Sequence, residues 1–321
     1  MSVDVFRNAL DVLIIGAGPA GLSAALALGR VLRSAAVFDS GEYRNAASSH
    51  AHTVPTHDHE NPAAIRTQMK AELAAKYKTI AFPGTAAVSI LESGRVFEVK
   101  DSEDQTWKGR KVILATGSCD VFPEIPGYAE AWGRGIFHCL FCHGFEEAGV
   151  ENAAVLMTAG TDNDVDTAIS NARLTRRFTS AVTILANGLP HLDSNDKLSA
   201  AKAHEYVVDG RAVKRLTNIG SFPTVKVEFV DGSEATFGFL VHRPSTKLRG
   251  SFAERLGLST TPAGDISVIN PFQESSRRGV FAAGDCATPL KQVAVAMAAG
   301  VTAGAGANVQ IMQDDFEDGR W

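Results

Sequence analysis

The feature that most constrains the fold is a glycine-rich turn between an apolar strand and a helix, near the N-terminus. Residues 11–15 (DVLII) are apolar and rich in β-branched side chains, which predicts a short buried strand. The turn Gly16-Ala17-Gly18-Pro19-Ala20-Gly21 follows, then a helical pattern to Arg30 and a second strand that ends at Asp39. This order predicts a dinucleotide-binding βαβ unit, in which the terminal acid binds the ribose hydroxyls.

The residues of the turn have distinct tasks in such a unit. The three glycines, Gly16, Gly18 and Gly21, provide a tight turn, a close backbone approach to the pyrophosphate and close packing of helix on strand. Pro19 and Ala20 open the helix, whose N-terminus offers N–H groups and the positive end of a dipole to the phosphates. These five residues are therefore predicted to bind the cofactor.

Two later stretches repeat the pattern of a buried strand that runs into small residues. The first ends in Ala115-Thr116-Gly117 and the second in Ala283-Gly284-Asp285. The carboxylate of Asp285 can accept hydrogen bonds from ribityl hydroxyls or cap the last helix, which is Ala/Gly-rich and predicted from about residue 289 to 310. A helix over residues 61–78 and an antiparallel meander over 79–107 are also predicted.

A second α/β unit, with strands at 153–157 and 181–185 and a helix at 164–176, lies between these stretches. It has the order of another dinucleotide domain, but its turn, residues 158–164, reads TAGTDND. The three-glycine fingerprint is missing, and two aspartates stand where phosphates would lie. No basic cluster follows the second strand to hold a 2′-phosphate. We therefore expect that NADPH is not used.

A pair of cysteines with a histidine on each outer flank lies at the start of this middle region, in His138-Cys139-Leu140-Phe141-Cys142-His143. Disulfide exchange requires a thiolate, and an imidazole can accept the thiol proton near neutral pH. If the pair opens a helix, the dipole also favours the thiolate. The sequence therefore predicts a redox-active pair, with His143 as the favoured base and His138 as either a second base or a packed bystander.

Three other interpretations of this stretch remain. Cys139 to His143 also fits the CxxCH motif of haem c attachment, which usually needs an exported chain. A zinc site would need a second pair of ligands with matching spacing, whereas Cys119 and Cys286 are single and distant. The pair can also be a purely structural disulfide. Cys119 and Cys286 themselves are expected to be small core residues.

Charge and hydropathy exclude other classes of function. The net charge is -5 and no Lys/Arg-rich run is present, so no nucleic-acid partner is expected. The apolar stretch of residues 12–32 is interrupted by four glycines and a proline, which argues against a membrane span. No signal peptide is recognisable, and a cytoplasmic protein is expected.

The complete set of motifs resembles the low-molecular-weight thioredoxin reductases: GAGPAG at 16–21, ATG at 115–117, CxxC at 139–142 and Gly284-Asp285. The resemblance implies an α/β fold with two Rossmann-like three-layer domains, the second inserted into a split FAD domain. It places the FAD domain at residues 1–120 and 246–321. The inserted, degenerate nicotinamide-type domain, which bears the CxxC, would span 121–245.

Two departures indicate a subfamily. The reductases have an aspartate acid/base where His143 stands here, and they keep the NADPH fingerprint that residues 158–164 lack. With residues 39–45 (DSGEYRN) and His50-Ala51-His52, the CxxCH stretch looks like the fungal and bacterial dithiol oxidases of the gliotoxin and holomycin type. This resemblance implies that the enzyme closes a disulfide in a small dithiol metabolite of epidithiodiketopiperazine type. Electrons would pass through the cysteines to FAD and then to O2, giving H2O2, in a homodimer.

The resemblance also assigns roles to individual residues. It implies that Cys142 faces the flavin and Cys139 exchanges with the substrate. Further cofactor contacts are expected from residues of the first loop and of the last helix: Arg44, Asn45, His52 with His50 as a further neighbour, and Gln292 and Val293, after Lys291, at the pyrimidine edge of the flavin. His57 and His59 are expected to be solvated, as are residues 314–318. The histidines lack the strand or helix context of a metal site, so none is expected.

Two other functions fit parts of the sequence. An NADPH-dependent disulfide reductase of the thioredoxin class would use the same cysteines, but it would need the nucleotide fingerprint that is missing. A non-catalytic flavoprotein that sequesters a thiol toxin would have no need of the cysteine pair and its histidines.

Overall fold

The computed structural model describes residues 9–159, 165–190, 195–203, 206–220 and 223–319. The chain divides into two compact units, Met1–Cys119 with Lys247–Trp321, and Asp120–Thr246. The boundaries predicted from the sequence follow residues 120 and 245. The predicted α/β architecture is confirmed.

The first unit contains a nine-stranded sheet in the order β17-β18-β19-β6-β1-β2-β3, with the β4–β5 hairpin attached to β6. Its strands are β1 (Leu10–Ile15), β2 (Ala35–Phe38), β3 (Ile80–Ala81), β4 (Ala87–Ser93), β5 (Val96–Asp101), β6 (Thr106–Leu114), β17 (Val268–Ile269), β18 (Glu274–Ser275) and β19 (Val280–Ala282). Its helices are α1 (Pro19–Arg30), α2 (Pro62–Lys76), α7 (Phe252–Arg255) and α8 (Val293–Glu317), with a 3₁₀ turn at Arg44–Ala47.

The parallel centre of this sheet brings three predicted turns to one edge. Ile15 pairs with Phe38 on one side and with Leu114 on the other, and Leu114 pairs with Ala282. The carboxyl-terminal residues of these strands are buried apolar runs, as expected for a sheet covered on both faces. Since carboxyl ends of parallel strands share an edge, the turns after these strands lie side by side.

Close packing between α1 and α8 covers one face of the sheet. A side chain on Gly300 would overlap the carbonyl oxygen of Ala20, and one on Gly304 would come within 2.9 Å of the carbonyl oxygen of Ala24. By length and composition α8 could cross a membrane, and it is the one described helix of which this is true. Its small residues are buried against α1, as in a core helix.

Three predictions about this unit need correction. Residues 80–81 form β3, which pairs in parallel with β2, so the meander comprises only β4, β5 and β6. The last helix begins at Val293 and continues to Glu317. Its acidic end is not simply solvated, because Asp314 pairs with Lys111 and Asp315 with Arg110.

The second unit contains a parallel five-stranded sheet in the order β11-β10-β9-β15-β8 and a three-stranded antiparallel sheet, β12-β13-β14. Its strands are β8 (Ile136–Phe137), β9 (Asn152–Leu156), β10 (Ala181–Leu185), β11 (Val207–Asp209), β12 (Val213–Asn218), β13 (Val225–Phe229), β14 (Glu234–Phe237) and β15 (Leu240–Val241). Its helices are α3 (Tyr128–Ala131), α4 (Leu140–His143), α5 (Val165–Thr175) and α6 (Asp196–Ala203). The segments that join the units are β7 (Ser118–Val121) and β16 (Ser245–Leu248), which pair with each other.

Candidate functional site

The first glycine turn has the geometry that a bound dinucleotide needs. Gly16 has a φ of +113°, and a side chain there would overlap the carbonyl oxygen of Ala115. A side chain on Gly21 would overlap the carbonyl oxygen of Gly16. At Gly18, by contrast, a Cβ would meet no described atom within 4 Å. Two of the glycines are thus required by protein packing, whereas Gly18 leaves its backbone open to a ligand.

The helix ends beside these turns also suit an anionic cofactor. Gly18 is the N-cap of α1, and among the described residues no side chain caps this helix and no acid lies in its first turn. The same holds for α8, whose N-cap is Gln292 and whose first residue is Val293. Free N–H groups at a helix N-terminus favour phosphates and other anions. The first unit therefore fits FAD, with the pyrophosphate predicted at α1.

Asp39, at the end of β2, is held by neighbours that the sequence did not suggest. Its carboxylate accepts hydrogen bonds from the Tyr43 hydroxyl, at 2.7 and 2.8 Å, and from the Gly41 N–H at 2.9 Å. The Arg66 guanidinium lies 3.8 Å from the centre of the Tyr43 ring. Burial and the Asp39 carboxylate raise the pKa of Tyr43 to about 12, so its hydroxyl stays a donor. Tyr43 thus orients the predicted ribose acceptor.

The next residues of this loop also pair within the unit. The guanidinium of Arg44 lies 3.4 Å from the carboxylate of Asp285, so the loop after β2 reaches the turn after β19. The side-chain oxygen of Asn45 accepts a hydrogen bond from Arg66 at 2.9 Å. Arg44, Asn45 and Asp285 are therefore brought to the same edge of the sheet as the glycine turns.

The ammonium group of Lys291, just before α8, makes all of its hydrogen bonds to atoms of the protein. Its ammonium donates to Asp265 Oδ1 at 2.9 Å, to the Asp285 carbonyl at 2.7 Å and to the Thr288 carbonyl at 3.0 Å. These three bonds use all the protons of the ammonium. Lys291 thus stabilises the turn that precedes Gln292. Its positive charge is balanced by the carboxylate of Asp265 and is hydrogen-bonded to the two carbonyls.

The histidines of the first loop contact one another. The rings of His50 and His59 stack with centroids 4.0 Å apart, and the ring of His52 lies 5.1 Å from that of His59. Nδ1 of His57 is 2.7 Å from Glu60. His59 is exposed, as the sequence predicted, although its ring stacks on that of His50, whereas His57 is half-buried and paired with Glu60.

The cysteine pair of the second unit forms a disulfide. Cys139 and Cys142 are bonded, with their Cα atoms 5.3 Å apart. Cys139 is the N-cap of the single turn α4, and Leu140 anchors this turn in the core. Both cysteines are half-buried. A half-buried disulfide at the start of a helical turn can be reached by a thiol.

Each histidine beside the disulfide stacks on an aromatic ring. His138 stacks on Trp132, with centroids 5.5 Å apart and 21° between the planes. His143 stacks on Phe137, with centroids 4.9 Å apart and 20° between the planes. Both imidazoles are half-buried. They are therefore oriented by packing while part of each ring remains accessible.

The other two cysteines do not form a second pair. Cys286 is fully buried, its thiol lies 3.3 Å from the Leu114 carbonyl, and burial raises the pKa of this thiol. It is the small core residue that the sequence predicted. Cys119 is half-buried on β7. Within the described part of the chain, the cysteines thus offer no second pair of zinc ligands.

A buried polar group lies where β9 and β15 end, at the switch point of the second parallel sheet. His242 is 1% exposed, and its Nε2 is 3.0 Å from the Thr158 hydroxyl. Its Nδ1 is 2.6 Å from the Tyr128 hydroxyl. Burial lowers the pKa of His242 to about 4, so this group is neutral at pH 7. The rest of the degenerate turn, residues 160–164, lies outside the described residues.

Comparison with known proteins agrees with this architecture. Residues 10–300 match the pyridine nucleotide-disulphide oxidoreductase family. The chain is 47% identical over 315 residues to thioredoxin reductase sirT of Leptosphaeria maculans, with 95% of each chain covered. It is 40% identical over 311 residues to thioredoxin reductase tcpT of Claviceps purpurea, with 96% of each covered.

Solved structures give the same result. An oxidoreductase from Agrobacterium tumefaciens has a TM-score of 0.84 at 30% identity, with 95% of this chain and 99% of that chain covered. HlmI has a TM-score of 0.84 at 28% identity, with 98% and 96% covered. Both similarities extend over both units of the chain.

Proposed function

The chain belongs to the pyridine nucleotide-disulphide oxidoreductase family and resembles thioredoxin reductases over its length, and from this premise we propose that it is an FAD-dependent dithiol oxidase. Its substrate would be a small dithiol metabolite of epidithiodiketopiperazine type, in which it closes a disulfide. The observation that carries the proposal is the Cys139–Cys142 disulfide with an oriented imidazole at each end.

The chemistry begins at the sulfur assigned to the substrate. One substrate thiol gives its proton to His143, and its sulfur attacks Cys139, so that Cys142 leaves as a thiolate. The second substrate sulfur then attacks the first, which closes the substrate disulfide and releases Cys139 as a thiolate. FAD, when bound, supplies a two-electron acceptor that O2 can reoxidise with formation of H2O2. The protein disulfide re-forms as the two electrons leave the thiolates.

The direction of electron flow is supported by the sequence of the second unit. Residues 158–164 lack the glycine fingerprint that holds a nicotinamide dinucleotide. An enzyme that takes electrons from a dithiol and gives them to O2 has no need of NADPH. We therefore propose O2 as the acceptor and no use of NADPH.

An oxygen electrode tests the proposal directly. Purified holoenzyme is mixed in air with a reduced dithiodiketopiperazine, and O2, H2O2 and substrate disulfide are measured together. We expect one O2 consumed and one H2O2 formed for each disulfide closed. Absence of O2 uptake, together with rapid bleaching of the flavin by NADPH in a stopped-flow experiment, would reject the proposal.

That second outcome would support a thioredoxin-type reductase. The relatives in Leptosphaeria maculans and Claviceps purpurea carry the name thioredoxin reductase, which favours this candidate. The two functions use the same cysteines in opposite directions. A flavin reduced by the dithiol but not by NADPH separates them.

We also propose that the enzyme acts as a homodimer in the cytoplasm, without nucleic-acid or membrane partners. Exposed apolar side chains on α8 support self-association, since Val301, Val309, Met312 and Phe316 are spaced to share one face of the helix. Light scattering after gel filtration tests this, with a monomer mass as the contrary result.

A further inference from the structure

We propose that Trp132 is a positioning residue, whose indole ring holds the imidazole of His138 ready to take the proton of the second substrate thiol at Cys139. The proposal rests on the dithiol exchange proposed above, for which His143 accounts for only one of the two substrate protons. It gives His138 a defined task and adds a residue outside the CxxC stretch to the site.

The geometry starts from a set of stacked rings in the second unit. Trp132 stacks with His138, at 5.5 Å and 21°, and with Tyr128, at 5.8 Å and 25°. The ring of Phe122 packs against both of these rings, with its centroid 5.1 Å from that of Trp132 and 5.2 Å from that of Tyr128. Aromatic rings at such distances restrict each other's rotation. The orientation of His138 is therefore tied to that of Trp132.

The stack is anchored in the core of the unit. Tyr128 is 1% exposed, and its hydroxyl lies 2.6 Å from Nδ1 of His242. Nε2 of His242 lies 3.0 Å from the hydroxyl of Thr158. His242 follows β15 and Thr158 follows β9, so two adjacent strands fix Tyr128. Through Tyr128, the sheet therefore holds Trp132 in place, and Trp132 in turn holds His138.

The charge states of His242 and Tyr128 are compatible with a positive charge on His138. Burial lowers the pKa of His242 to about 4 and raises that of Tyr128 above its ordinary value. Both groups are neutral at pH 7, so neither opposes a positive charge on His138. The face of an indole attracts a cation more strongly than that of a phenyl ring. Trp132 therefore favours His138 in its protonated form more than Phe137 favours protonated His143.

The proton and electron balance then closes. The first thiol gives its proton to His143 as its sulfur bonds to Cys139 and the Cys139–Cys142 bond breaks. The second thiol gives its proton to His138 as its sulfur bonds to the first substrate sulfur and the bond to Cys139 breaks. The two protons of the dithiol then lie on the two imidazoles, and the two electrons that it has lost are held by the thiolates of Cys139 and Cys142.

The test follows the exchange step itself. Full-length holoenzyme is mixed anaerobically with dithiothreitol, the reaction is quenched with acid, and free thiols at Cys139 and Cys142 are counted by alkylation and mass spectrometry. Rates are measured from about pH 6 to about pH 9, where histidine changes charge. The variants are Trp132→Leu, Trp132→Phe, His138→Gln and the double variant Trp132→Leu/His138→Gln.

We expect Trp132→Leu and His138→Gln each to slow exchange by about tenfold near neutral pH and to change the pH profile in the same way. Trp132→Phe should keep most of the rate, because a ring face remains. The double variant should be no slower than His138→Gln, because both changes remove one function. A Trp132→Leu enzyme with the profile of the wild type, or with losses that multiply with those of His138→Gln, overturns the proposal.

Two further measurements distinguish a role for Trp132 from misfolding of the variants and from a failure of the oxidase proposal. Far-UV circular dichroism shows whether each variant is folded, and Trp132→Phe remains as a test if Trp132→Leu is not. In that case an unchanged pH profile and rate in His138→Gln overturn the proposal. If wild-type protein consumes no O2 with a dithiol while exchange still depends on Trp132 and His138, the oxidase proposal fails and the role of Trp132 stands.

Discussion

Nζ of Lys111 lies 2.6 Å from Oδ2 of Asp314, which joins the central strand β6 to the last turns of α8. Both side chains are largely buried, with exposed fractions of 7% and 16%, and Arg278 also donates to Asp314 at 2.9 Å. The end of α8 is therefore fixed to the strand that leads into the Ala115–Gly117 turn, and the acidic C-terminal stretch is structural.

Removing this carboxylate should destabilise the protein. Asp314→Asn would leave the buried ammonium of Lys111 without its counter-charge, and we expect a loss of about 2 kcal/mol in the free energy of unfolding. Urea denaturation of apoprotein measures it. Asp104→Asn is the matched control, because Asp104 pairs with Lys100 on the surface and should give no measurable change. Equal effects of the two substitutions would contradict this account.

A second carboxylate should make stability depend on pH. Asp101 is 2% exposed and accepts hydrogen bonds from Thr85 Oγ1 and Trp107 Nε1, both at 2.9 Å. Burial acts to raise the pKa of Asp101, but hydrogen bonds from Trp107, the Gln105 N–H and Thr85 outweigh it, so the pKa lies below its ordinary value. The ionised Asp101 carboxylate therefore stabilises the folded protein fully above the unfolded-state pKa of this group, which is about 4. The stabilisation is lost as the pH falls through the folded-state pKa of Asp101.

Asp101→Asn should remove this dependence. The difference in unfolding free energy between wild type and variant should be constant above about pH 5 and should shrink below about pH 4. Urea titrations at several pH values measure it. A difference that grows as the pH falls would show that the wild-type carboxyl is not ionised in the folded protein.

The parts of the fold that the sequence predicted are those whose interacting residues lie close together in the chain. The β1–α1–β2 unit follows from local signals, because glycines, apolar period and terminal acid lie within thirty residues. Lys111 and Asp314 are 203 positions apart, and nothing near Asp314 in sequence indicates a partner. β3 has two residues, too few for a period, and its place beside β2 is set by tertiary packing.

The site was predicted in the same uneven way. The CxxC pair is local, and its disulfide could be anticipated. Tyr43 lies four residues from Asp39, but a tyrosine in a loop carries no signal that it will orient a carboxylate. Trp132 precedes His138 by six residues, and the chain turns between them at Gly133, which has a φ of +71° and donates to the Ile136 carbonyl.

The cysteine pair should be essential for turnover but not for flavin binding. We expect Cys139→Ser and Cys142→Ser each to abolish dithiol oxidation, because a serine hydroxyl cannot form the exchangeable disulfide. Both variants should be purified with FAD at the wild-type ratio, since the predicted cofactor residues lie in the other unit. The flavin spectrum and H2O2 formation are measured on the same samples. Unchanged turnover in either variant would refute a redox role for the pair.

Two glycine substitutions should separate cofactor binding from folding. Gly18→Ala adds a methyl group where no described atom lies within 4 Å, at a φ of -75° that alanine adopts freely. The apoprotein should keep its melting temperature. FAD affinity should fall by tenfold or more, about 1.4 kcal/mol, because the methyl group stands where the pyrophosphate approaches the backbone.

Gly300→Ala is the matched contrast, because its methyl group would overlap the carbonyl oxygen of Ala20. Separation of α8 from α1 should lower the free energy of unfolding of the apoprotein by about 1–3 kcal/mol, and flavin would be lost as a consequence of that change. Calorimetry on apoprotein and titration with FAD measure both quantities for each variant. A Gly18→Ala protein that binds FAD as tightly as wild type would place the pyrophosphate away from the N-terminus of α1.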